Sequence, residues 1–121
     1  MRTLIDDGHA LVLRTIRQLV ANAAGTPARE PALIIEEIAT VDWASLTFVG
    51  RLHRLELRIE GSCEAVEAAC AALEAALPEA ELTAGGHVLA QAGVIACEAA
   101  RPELGAAARR CVIEALTLEA D

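Results

Sequence analysis

Residues 43–60 read WASLTFVGRLHRLELRIE, an alternation of apolar and polar side chains broken by one glycine. Successive side chains of a strand point to opposite faces of its sheet, so a period of two marks half-buried strands rather than a helix. Gly50 holds the first central position of Val49-Gly50-Arg51-Leu52, the place a two-residue type II′ hairpin loop gives to glycine. That turn predicts a register in which Phe48 faces His53, Leu46 faces Leu55, Ala44 faces Leu57 and Asp42 faces Ile59. These pairs make an apolar core face. Thr47 with Arg54, Ser45 with Glu56 and Trp43 with Arg58 make the opposite face, polar apart from the indole and the Val49 and Leu52 pair near the turn.

The preceding stretch, LIIEEIATV over 33–41, is also β-prone and reads as the first half of one long strand bent near Asp42. In this register its early half is unpaired, so its amides need another partner, either the C-terminal strands or a second subunit. Upstream, Leu4, Leu11, Ile16, Leu19, Val20 and Ala23 fall on one side of a helix predicted over 3–23, with Thr3 and Asp6 as a loose capping box. The GTPAREP segment that follows cannot continue a helix.

Downstream, Ser62 is placed to N-cap a helix over 63–77 whose buried stripe is Val66, Ala69, Cys70, Leu73 and Leu77. Gly85-Gly86 marks a second hairpin turn. A third hairpin centred near Leu104 sets Cys97 opposite Cys111, Ile95 opposite Ile113, Ala96 beside Val112 and Glu98 beside Arg110. The resulting order, α-β-β-α-β-β-β, predicts an α+β fold: a mainly antiparallel sheet of about five strands with both helices packed on one face. Residues 33 to 99 loosely resemble a ferredoxin-like split arrangement, a likeness of topology that transfers no residue roles. With 121 residues, the chain is read as a single α+β domain over 1–121.

Hydrophobic residues make up 55% of the chain and aromatics 2%, so Leu, Ile, Val and Ala must fill the interior. Eighteen carboxylates against ten arginines leave a net charge of −8, which repels phosphate backbones and anionic lipid and argues against nucleic-acid and membrane partners. The charged residues inside the N-terminal apolar run do not suit a signal peptide or a membrane span, so a cytoplasmic location is expected.

No catalytic, cofactor or metal-binding pattern emerges from the residue spacing. His9, His53 and His87 lack ligand spacing, and the four cysteines contain no C-x-x-C. Cys63 and Cys70 lie about 10 Å apart along a helix, too far for a disulfide, and the thiols read as buried and reduced. Glu36 and Glu37 point to opposite faces of a regular strand and cannot act as a pair, an arginine partner being the expected fate of either. Ser62 is a cap rather than a nucleophile. Two surfaces remain. Trp43, Arg54, Glu56 and Arg58 on the polar hairpin face carry the Trp and Arg chemistry that anchors protein interfaces. This points to a non-enzymatic module that self-associates, or meets a protein partner, through a strand face or sheet edge. The alternative is a small-molecule binder or weakly marked enzyme with a pocket between helix and sheet built from Glu37, Asp42 and His53.

Overall fold

Leu11, Val12, Ile16 and Val20 recur at helical spacing, and the helix they define, α1 (Asp7–Ala24), buries all four. Thr15 is buried beside them, its hydroxyl satisfied by donating to the Leu11 carbonyl at 2.8 Å. The protein is described by a computed structural model over residues 7–119, so Leu4 and the expected Thr3–Asp6 capping box lie outside the described residues. Ala23, expected on the buried stripe, is exposed.

Two long strands follow, β1 (Ala32–Ala44) and β2 (Val49–Gly61), and then α2 (Cys63–Ala76). The Ser62 hydroxyl caps α2 by accepting the Ala65 N–H at 3.1 Å. Val66, Ala69, Cys70, Leu73 and, one residue past its end, Leu77 form its buried stripe as read from the sequence. The chain completes a curled antiparallel sheet with a short β3 (Thr83–Ala84), β4 (His87–Ala99) and β5 (Ala107–Glu119), in the spatial order β1-β2-β5-β4-β3. Both helices lie on one face. There their stripes meet Leu55, Leu57 and Ile59 of β2, Leu89 and Ala92 of β4, and Cys111, Ile113 and Ala115 of β5. Order and class match the sequence reading.

Gly85 and Gly86, at φ 58° and 78°, make the two-residue turn between Ala84 and His87, as the mirror-image hairpin turns require. The third hairpin also keeps its expected register where Cys97 faces Cys111, Ala96 faces Val112 and Glu98 faces Arg110. It then departs at a bulge between Val94 and Ala96, so Val94 rather than Ile95 faces Ile113.

The first hairpin turns elsewhere than expected. Its loop is Ser45–Phe48, closed by a 2.8 Å bond from the Ser45 N–H to the Phe48 carbonyl, while the Ser45 hydroxyl accepts the Phe48 N–H at 3.1 Å. Thr40, not Phe48, faces His53, and Trp43 faces Gly50 rather than Arg58. This register lets β1 pair with β2 along its whole length, from Ala32 opposite Glu60 to Ala44 opposite Val49, so the early half of β1 needs no separate partner. The strand is irregular at Glu36, between Ile35 and Glu37, rather than at Asp42. Leu46 and Phe48, expected in the core, stand 106% and 52% exposed at the hairpin tip. Gly50 lies inside β2, where a Cβ would come within 2.1 Å of the Thr117 carbonyl oxygen of β5. The glycine serves a close approach of two backbones, not a turn.

Candidate functional site

The sheet face turned away from the helices is organised in cross-strand rows. At the hairpin end one row runs Val41, Leu52, Leu116 and Gln91, and the next runs Trp43, Gly50, Leu118 and Val88. Gly50 lets the Leu118 side chain lie over its backbone beside Trp43, and a recess of about 330 Å3 at this end of the sheet is lined by Asp42, Trp43, Val49, Gly50, Arg51 and Glu119 among others. Val41 is 59% exposed and Val49 55%, which together with Leu46 and Phe48 makes this end of β1 and β2 the main exposed apolar region of the first hairpin.

Toward the other end the rows become charged. Arg54 is exposed and pairs with Glu114 at 3.7 Å, and Glu56 stands half-buried between Glu37 and Val112. Arg58 and Arg110 are direct cross-strand neighbours, an arrangement that would repel without a bridging anion. Glu36 supplies it. The bulge turns this carboxylate to the same face as Glu37, where it binds the Arg58 guanidinium and accepts from Arg110 Nε at 2.8 Å. Regular alternation had assigned Glu36 and Glu37 to opposite faces. Hydrogen bonding from Arg110 is the main reason the Glu36 pKa lies below its ordinary value.

Arg58, expected on an open surface beside Trp43, is instead 8% exposed and held by Glu36, by Glu60 at 3.4 Å and by Glu103 at 2.8 Å. The β4–β5 loop covers it. Glu60 is 1% exposed, and one of its carboxylate oxygens accepts three successive backbone N–H groups, from Glu103 at 2.6 Å, from Leu104 and from Gly105 at 3.2 Å. Three convergent amides form a nest for an anion. Those backbone bonds, led by Leu104, hold the Glu60 pKa below its ordinary value against the opposing effect of burial. The loop can lie this close because Gly105 has no Cβ, which would meet the Gly61 nitrogen at 2.5 Å. Of the four residues expected to make an interaction surface, Trp43, Arg54 and Glu56 therefore share an accessible face, while Arg58 belongs to an internal ion network.

The three residues of the alternative pocket are not brought together. His53 is fully buried, with Nδ1 3.1 Å from the Thr40 hydroxyl and Nε2 2.7 Å from the Thr117 hydroxyl. His9 of α1 also hydrogen-bonds Thr40, and its ring meets that of His53 edge-on with centroids 4.9 Å apart. The histidine is thus a satisfied polar member of the interior. Glu37 faces Glu56 on the opposite side of the sheet, and Asp42 is exposed and paired with Arg51 at 3.8 Å. A cleft of about 960 Å3 lies elsewhere, between α1 and the start of β1, where Leu13, Arg14, Arg17, Pro31 and Leu33 line it.

One cluster went unread in the sequence. Cys70, Cys97 and Cys111 converge from α2, β4 and β5, with Cys111 Sγ 3.3 Å from Cys97 Sγ and 3.9 Å from Cys70 Sγ. The signals existed separately, Cys70 on the buried stripe of α2 and Cys97 facing Cys111 across a hairpin. Joining them required knowing which strands lie under α2.

No helix among the described residues is long and apolar enough to cross a membrane. No protein-family model and no curated protein matches the sequence. Among solved structures, a chain of the "Virion of native gene transfer agent (GTA) particle" superposes with a TM-score of 0.59 over 85% of this chain and 91% of that one, at 21% identity. At that identity, the two chains are shown to share a fold.

Proposed function

We propose that this protein is a non-enzymatic assembly subunit that associates with further copies of itself through the hairpin end of β1 and β2. The observation that carries this reading is that β1, thirteen residues long, is an edge strand bonded on one side only among the described residues, and that exposed apolar side chains gather at its hairpin end. Long open edges are normally blunted by bulges and charge. Here the bulge lies at Glu36, and the run from Glu37 to Ala44 beyond it pairs with β2 in unbroken register. Trp43 supplies an aromatic anchor of the kind that dominates interface energetics, beside a recess that a partner side chain can fill.

Occurrence of the same fold in a chain of a gene transfer agent particle supports a role in assembly. The net charge of −8 favours a protein partner over nucleic acid. Amide hydrogen exchange at rising protein concentration tests the proposal. Amides of β1 between Glu37 and Ala44 should exchange more slowly as concentration rises, while those of β3, at the opposite edge, should not change. Concentration-independent exchange throughout β1 would refute it.

A further inference from the structure

We propose that Cys70, Cys97 and Cys111 form a three-thiolate site for one soft monovalent cation, Cu(I). Use of cysteine as a small apolar filler accounts for each buried thiol singly. It does not account for sulfurs from a helix and two strands meeting with all three ligand atoms within 4.8 Å of one another. An ion bonded to three sulfurs at about 2.3 Å sets them about 4.0 Å apart. The Cys70–Cys111 separation of 3.9 Å already has that length, and the Cys97–Cys111 separation of 3.3 Å reaches it by a side-chain adjustment of under about 1 Å.

Ligand number and softness select the ion. Structural zinc closes its shell with four ligands. Among the described residues this group consists of three cysteines and no His, Asp or Glu. Cys70 and Cys111 are 5% and 1% exposed, which leaves little room for a water as a fourth ligand. Thiolate sulfur suits Cu(I), a closed-shell ion that accepts three-coordination. Three thiolates with one monovalent ion leave a net charge of −2, which the Arg109 guanidinium, 3.8 Å from Cys97 Sγ, partly offsets.

Half-buried Cys97 at the edge of the cluster gives the ion a way in. Each thiol proton passes to solvent as its sulfur–copper bond forms.

The site stands independently of the association proposed above. Anaerobic, fully reduced protein is titrated against the coloured bicinchoninate complex of Cu(I), which loses colour as metal is withdrawn. One equivalent should move to the wild-type chain. Cys97→Ala should weaken binding by about 100-fold or more, at least the loss seen when supporting residues of metal sites are removed. Cys63→Ala, altering an exposed thiol outside the cluster, should leave it unchanged. Circular dichroism confirms that each variant is folded, with Cys97→Ser replacing Cys97→Ala if that variant is not. X-ray absorption of the loaded protein should report three sulfur neighbours. Failure to withdraw copper, equal affinity with Cys97 replaced, or zinc held more tightly than Cu(I) would each overturn the assignment.

Discussion

Replacing Gly50 with alanine tests the strand register that creates the proposed interaction surface. The new Cβ would lie 2.1 Å from the Thr117 carbonyl oxygen, whereas ordinary contacts begin near 3.4 Å, so β2 and β5 must part by about 1.3 Å at this point. Overpacking on this scale costs about 1–3 kcal/mol, and parting the strands sacrifices one or two ladder hydrogen bonds at about 0.5–1.5 kcal/mol each. Because Gly50 is the second residue of β2, fraying of the strand end limits the total, and a loss of about 2–4 kcal/mol is expected. Gly86→Ala is the comparison. Nothing lies within 4 Å of a Cβ there, and the cost arises only from φ 78°, about 1–2 kcal/mol. Urea denaturation with linear extrapolation reads both values. A Gly50→Ala loss no larger than that of Gly86→Ala, together with wild-type stability for Gly50→Asn, would mean that Gly50 is a turn residue after all. The rows on the outer face would then have to be redrawn.

Two further substitutions probe other parts of the structure. Leu73→Ala, at a fully buried position where α2 meets the sheet, should lower unfolding free energy by about 2–5 kcal/mol in the same assay, and a smaller loss would contradict the packing of α2. Glu60→Gln should destabilise at neutral pH by weakening the carboxylate that holds the β4–β5 loop. Since the folded-state pKa lies below the ordinary 4.5, this stabilisation is present above that value and disappears as pH falls through the lower folded pKa. The wild-type and variant melting temperatures should therefore converge below pH 4.5; a constant difference down to the acid limit would show that Glu60 acts by shape alone.

Period-two alternation sorted the side chains of β2 correctly because a strand shows one face to the helices whatever its partner. It could not choose among registers that differ by an even number of residues. Moving the partner of His53 from Phe48 to Thr40 shifts the pairing by eight and leaves the β2 side chains from Leu52 to Ile59 on their expected faces, whereas Val49, now in β2, passes from the face of Leu52 to that of His53. The deciding facts were the Ser45 loop closure and the nearness of Thr117 to Gly50, the second of which involves a strand 67 positions further on. The α2 stripe and the Gly85-Gly86 turn were legible because both depend on residues close in sequence. Burial of Arg58 was not, since its cover comes from Glu103 and the loop around it. The candidate surface was half legible for the same reason: Trp43 and Arg54 keep their face under any even shift, whereas the residues that stand opposite them change with it, from Arg58 to Gly50 in the case of Trp43.

Self-association through the hairpin end is tested most directly by size-exclusion chromatography with light scattering across a micromolar concentration series. The wild-type chain should elute with a mass that is a multiple of 12.7 kDa. Trp43→Ala and Val41→Arg, both folded by circular dichroism, should shift the population toward monomer. A wild-type protein that remains strictly monomeric across the series, with neither variant changing its mass, would contradict the account.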